Sequence, residues 1–233
     1  MSRIPPDRPD RARDPVAATW PVPVRAERIA DGVMHGAGLA FALVGAGLLL
    51  AFALRHAGPS QAIAVAVYAA ALVATFLASA SYHLAPWHRA RGALRRIDHA
   101  AIFLKIAGTY TPLVALMGSA FAWGVLGAVW AVALVGAALK IVLWRDPGRL
   151  GLALYLVLGW ASLLLLWPLA LTLPPAGTVL VAAGGLLYTA GTVVFARPAL
   201  RFSTAIWHGF VLAASACFFA AITVGTVAAQ AAP

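Results

Sequence analysis

Seven long apolar runs, parted by short polar breaks, make up most of this chain. They lie near residues 33–54, 61–84, 98–117, 120–143, 150–171, 177–196 and 206–228. Each is close to the ~20 residues a helix needs to cross the hydrocarbon of a bilayer. The runs are continuous and do not alternate with period two, which argues against a transmembrane barrel. The pattern predicts an all-α integral membrane protein, a bundle of seven transmembrane helices over residues 27–233. Residues 1–26 read differently. Pro5, Pro6, Pro9, Pro15, Pro21 and Pro23 stand among mixed charges with no apolar core, so this segment is expected to be a disordered basic tail and not a signal peptide.

Composition sharpens this picture. Hydrophobic residues are 63% of the chain and charged residues 10%, too few to clothe a water-soluble domain. The net charge of +10 would suggest nucleic acid in a soluble protein. Here the chain lacks a charged soluble face of any size, and no nucleic-acid partner is expected. The basic residues instead orient the spans. Fourteen arginines lie in the tail and in the second, fourth and sixth loops, against Arg55 alone in the others. The positive-inside rule then puts the N-terminus in the cytoplasm and the C-terminus outside. The single cysteine, Cys217, excludes an intrachain disulfide.

That orientation gives the polar groups within the spans a common depth. Asp31 and His35 lie where the first span begins, and Ser79 and His83 where the second ends. Asp98 and His99 open the third, and Thr204 and His208 the seventh. All fall at the cytoplasmic end. Ser79 and His83 are four apart and share a helix face. Ionisable groups inside a span are costly and mark a functional interior. Histidines and a carboxylate at one depth point to a metal, with zinc the first choice. His83 and His208 are the best candidate ligands. Asp98 could orient or deprotonate a bound water, and Ser79 could hydrogen-bond it. The same residues could equally serve as interhelical hydrogen-bond partners or in a proton-linked role, and spacing alone leaves these readings open. Lys105, seven residues beyond Asp98, is expected to pair with it or to snorkel toward the cytoplasm. Pro112 is expected to kink the third span, and Gly184, Gly185 and Gly191 to let helices approach closely.

At these positions the chain resembles the hemolysin III family, relatives of the progestin and adipoQ receptors that include the adiponectin receptors. The resemblance is carried by Glu27-x-x-x-Asp31-x-x-x-His35, Ser79-x-x-Tyr82-His83, Arg96-Ile97-Asp98-His99-Ala100-Ala101-Ile102 and Gly108-Thr-Tyr-Thr-Pro112. Leu158-Gly-Trp160, the stretch from Gly184 through Tyr188 to Gly191, and Ile206-Trp-His208 continue it in order. It implies a seven-helix fold with a cytoplasmic N-terminus, located in the bacterial plasma (inner) membrane. It also implies a zinc site near the cytoplasmic face, membrane lipids as surroundings, and hydrolysis of a lipid amide in the manner of ceramidases. The family's last motif has two histidines four apart. Here Thr204 stands where the first is expected, one turn before His208. A hydroxyl is a poor zinc ligand, so the resemblance leaves the site one imidazole short. Asp98 is the first candidate to complete it, with His99 and His35 behind.

Three functions follow as alternatives: a zinc-dependent lipid amide hydrolase, a non-catalytic sensor or stabiliser of bilayer state, and a pore-forming or cytolytic protein, as the hemolysin label suggests.

Overall fold

Alanine, leucine and valine fill each run, and proline or glycine marks several of the ends. In the computed structural model, which describes residues 25–86, 88–142 and 148–231, this sequence is helical nearly throughout. The helices are α1 (Arg25–His56), α2 (Pro59–Leu84), α3 (Arg91–Met117), α4 (Ala120–Val142), α5 (Gly148–Trp160), α6 (Leu166–Thr172), α7 (Pro175–Phe195) and α8 (Ser203–Ala231). A 3₁₀ turn over Ala161–Leu165 joins α5 to α6, and these together form the fifth span. Seven spans among the described residues are thus long and apolar enough to cross a bilayer. Pro59 and Pro175 open their helices, where a missing N–H costs nothing. Gly118 closes α3 with φ 63°, its N–H on the Val114 carbonyl, a left-handed cap that glycine adopts without strain. Ser119 then accepts the Ala122 N–H at 3.2 Å to start α4.

Helices α1 to α4 each pack on the next, α7 packs on α8, and α8 returns against α1. Two apolar clusters result. One gathers Ala42, Leu49, Tyr68, Leu72 and Ile222 between α1, α2 and α8. The other gathers Phe103, Tyr110, Val114, Leu126 and Val129 between α3 and α4. Leu43, Leu48, Val132, Val157 and Leu171 are exposed on the outside. In water such a coat would be a defect; in lipid it is the proper surface. Close approach is visible at Gly184, where an added Cβ would stand 2.7 Å from the Phe218 ring. Gly191 is similarly tight, with Phe210 Cβ 2.8 Å from the position an added Cβ would take. Gly185, expected to pack in the same way, has nothing within 4 Å of that position and lines the interior cavity.

Helix ends differ from the apolar runs in an instructive way. α1 begins eight residues before the first run and α3 seven before the third. The helix α1 therefore carries Glu27 and Asp31, and the basic stretch Arg91–Ile97 is helical and not a loop. Hydropathy sees only the part of a helix inside hydrocarbon. Ala93, Leu94, Arg95 and Arg96 are strong helix formers, and no proline stops them. Apart from Arg25 and Ala26, which begin α1, the expected tail lies outside the described residues, as do Trp20 and Arg145. The 3₁₀ break within the fifth span has a local cause in Pro168, whose ring conflicts with the carbonyl of residue 164. Just before the break the Tyr110 hydroxyl shares its one proton between the carbonyls of Leu158 (3.1 Å) and Gly159 (2.7 Å).

Candidate metal centre

His35, on the third turn of α1, is buried, and His83 and His208 arrive beside it from the end of α2 and the start of α8. Their ring centroids form a triangle with sides of 4.6, 4.1 and 4.7 Å. One ring nitrogen from each lies within 4.8 Å of the others, the only such group of metal-ligating side chains among the described residues.

A single residue orients all three rings. Asp31 takes the His35 Nδ1–H on its backbone carbonyl at 2.8 Å. Its Oδ1 takes the His208 Nδ1–H at 3.0 Å, and Oδ2 lies 3.3 Å from His83 Nδ1. Carbonyl and carboxylate oxygens only accept, so these contacts put a proton on Nδ1, and in the neutral ring Nε2 then carries the lone pair. Ser79 Oγ lies 3.2 Å from His35 Nε2 and 3.4 Å from His208 Nε2. A hydroxyl has one proton to offer. Two imidazole nitrogens thus compete for one hydroxyl proton, and with a ring nitrogen of each of the three histidines within 4.8 Å of the others the set can accept a cation. Carboxylate behind imidazole is the usual outer shell of a histidine-held metal. The donor set fits a metal ion, and its closure on one would draw the rings inward, since ligating nitrogens stand about 2.0–2.1 Å from zinc.

The frame around Asp31 is also built from sequence. One turn earlier, Glu27 Oε1 accepts the Phe202 backbone N–H at 3.2 Å. Phe202 has φ 59°, a left-handed conformation that bulky residues rarely adopt. This contact ties the turn before α8 to α1 and sets His208 opposite Asp31.

Other residues singled out from the sequence sit elsewhere. Asp98 is 9% exposed and lines the same cavity as the histidines, without belonging to their cluster. His99 donates Nδ1–H to the Arg95 carbonyl at 2.8 Å, and Tyr155 OH donates to its own carbonyl at 3.0 Å. Thr204 is exposed on the first turn of α8 and lines the cavity. The third imidazole of the cluster comes instead from α1, as His35. Lys105 neither pairs with Asp98 nor snorkels. It is buried, and its Nζ donates to Ser215 Oγ on α8 at 2.6 Å. The common role of Asp31 was not foreseen. Its signal was the four-residue spacing to His35, which places both on one face.

The histidines open onto a cavity of about 1820 Å³ whose walls are mostly hydrocarbon. Pockets for drug-sized ligands measure about 300–1,000 Å³, so this one has room for a lipid.

A bundle of seven spanning helices around a mostly apolar, lipid-sized interior with three histidines at one end defines a multi-pass integral membrane protein with a candidate metal centre. The family it joins is given by comparison with known proteins. Residues 26–219 match the family model described as haemolysin-III related, and the chain belongs to that family. It is 33% identical to Hemolysin-3 of Bacillus cereus over 195 residues, covering 83% of this chain and 89% of that one. It is 32% identical to the Hemolysin-3 homolog of Bacillus subtilis (strain 168) over 194 residues, covering 83% and 91%. With these relatives, the spans place it in the bacterial plasma membrane.

Proposed function

We propose that His35, His83 and His208 hold a zinc ion and that the protein hydrolyses the amide bond of a long-chain lipid, acting in membrane homeostasis. The observation that carries this reading is the cluster of three imidazoles, one ring nitrogen of each within 4.8 Å of the others, beside a cavity with room for a lipid. Three imidazoles with an open fourth position are a catalytic zinc donor set. When bound, zinc polarises a carbonyl and lowers the pKa of its water to about 7.

The chain's own residues do the rest. Asp31 holds each ring in the Nδ1–H form and adds negative charge behind the imidazoles. Ser79 donates to the oxygen that develops charge in the transition state. Asp98 accepts a proton from the attacking water and returns it to the leaving amine nitrogen. The apolar wall holds the acyl chain and excludes water. By the positive-inside rule the site belongs to the cytoplasmic leaflet.

The test is the full chain purified without chelators. One zinc per chain is expected, with release of fatty acid from a long-chain lipid amide that Asp98→Asn abolishes. Zinc without turnover would favour the non-catalytic reading, a sensor or stabiliser of bilayer state. No bound metal would overturn the proposal. A cytolytic role rests on the relatives' names alone; a hydrocarbon-walled cavity suits a lipid better than a stream of ions.

A further inference from the structure

Lys105 is the charged group of the interior that the histidine centre does not use. It lies seven residues beyond Asp98 on α3, about 10.5 Å along the axis, and is 6% exposed. Its ammonium donates to Ser215 Oγ at 2.6 Å and stands 4.9 Å from the centroid of Phe76 and 5.2 Å from that of Tyr188. None of these partners is an anion. Ser215 passes its own proton to the Val211 carbonyl at 2.5 Å and is an acceptor toward its other neighbours. The Tyr188 hydroxyl lies 3.1 Å from the same oxygen. An ammonium has three N–H donors, and Ser215 takes one. Aromatic faces attract a cation, but far less than the cost of burying a charge without a counter-charge.

The surroundings say what is missing. Lys105 and Tyr188 both line the cavity. Beyond them, away from the histidines, the walls are Leu113, Met117, Leu165, Leu169 and Val181. One positive charge with two N–H donors left over and an adjoining apolar chamber match a monoanionic headgroup on a long alkyl chain. A carboxylate offers two oxygens, one for Nζ and one to which the Tyr188 hydroxyl can turn from Ser215.

We propose that Lys105 and Tyr188 form an anion subsite, separate from the histidine centre, that holds the carboxylate of a long-chain carboxylic acid with its alkyl chain in the apolar end of the cavity. The subsite does not depend on the metal reading. It lies two helical turns deeper than the histidines, as the seven residues from His208 to Ser215 on α8 also show.

The test uses the full chain in nanodiscs of zwitterionic lipid, titrated with palmitic acid and with hexadecanol, which differs in the headgroup alone. Wild type should bind the acid at least about tenfold more tightly, as one charge-assisted hydrogen bond implies. Lys105→Met should erase that preference and leave hexadecanol binding unchanged. Wild type treated with a chelator should keep the preference. The proposal is overturned if the preference survives in Lys105→Met or is absent in wild type. It is also overturned if chelation abolishes the preference, which would place the carboxylate on the histidines, or if phosphatidylglycerol competes for the subsite, which would make a lipid headgroup the ligand. Should Lys105→Met fail to fold, Tyr188→Phe decides. A several-fold loss for palmitic acid alone supports the subsite, and wild-type affinity for both ligands overturns it.

Discussion

His208 on α8 gives its Nδ1 proton to Asp31 Oδ1 on α1 at 3.0 Å, joining the first span to the last across 177 positions of sequence. The same carboxylate reaches His83 on α2. One acid thus sets the orientation of imidazoles that come from three helices, and the histidine cluster is a property of the way those helices pack together.

Asp31→Asn should therefore weaken metal retention without removing a ligand. The amide keeps the shape but loses the charge, and its NH₂ can turn a donor toward Nδ1. Loss of an outer-shell partner costs about 10–100-fold in metal affinity. Competition against a zinc-binding dye measures it. An affinity equal to wild type would mean that the rings are held by packing and that Asp31 has no part in tuning the ion.

Orientation makes a second prediction. A reporter active only in the cytoplasm should be silent when fused after Pro233 and active when fused after Gly92 in a truncated chain. The opposite pattern would move the histidines to the outer leaflet and overturn the cytoplasmic placement of the site.

Much of this was legible in the sequence because a bilayer punishes polar groups. Seven apolar runs announce seven spans, and His83 and His208 stand out as ionisable groups at the ends of otherwise apolar runs. Other features were illegible for definite reasons. Hydropathy ends where hydrocarbon ends, so it missed the helical turns that carry Glu27 and Asp31. A run of leucines hides the break at Ala161–Leu165, whose cause is Pro168; Tyr110, from another helix, meets the carbonyls of Leu158 and Gly159 just before it. Lys105 lies on one face of α3 with Asp98, which suggested a pair. Its true partner, Ser215, is 110 residues away and carries no charge to betray it.

Packing of the last two helices depends on Gly184. A Cβ there would meet the Phe218 ring at 2.7 Å, with further ring atoms at 2.9 and 3.1 Å. Gly184→Val should destabilise the bundle by about 1–3 kcal/mol, the usual cost of overpacking a filled interior. A thermal melt in detergent reads it directly. Gly185→Val, whose Cβ meets nothing within 4 Å, is the control and should change the melt little. Equal effects from the two would show that the close contact of α7 and α8 is not what limits stability.

Thr204 and His35 together give the sharpest test of the metal centre. Thr204 stands one helical turn before His208 on the same face. The resemblance made its hydroxyl look like a lost ligand. Yet His35 already brings a third imidazole to the cluster, with ring centroids 4.6 Å from His83 and 4.1 Å from His208. If the centre is complete in this way, Thr204→His should leave zinc retention near wild type, because the fourth position belongs to water and not to another imidazole. His35→Ala should lose most of the metal, since two imidazoles bind zinc far more weakly than three. The double variant should recover part of that loss by supplying the missing nitrogen from α8. Elemental analysis of purified protein gives zinc per chain for all four forms, with circular dichroism to confirm that each is folded. A large gain from Thr204→His alone would contradict the reading, since it would mean that His35 does not ligate. The same conclusion would follow if His35→Ala kept its zinc.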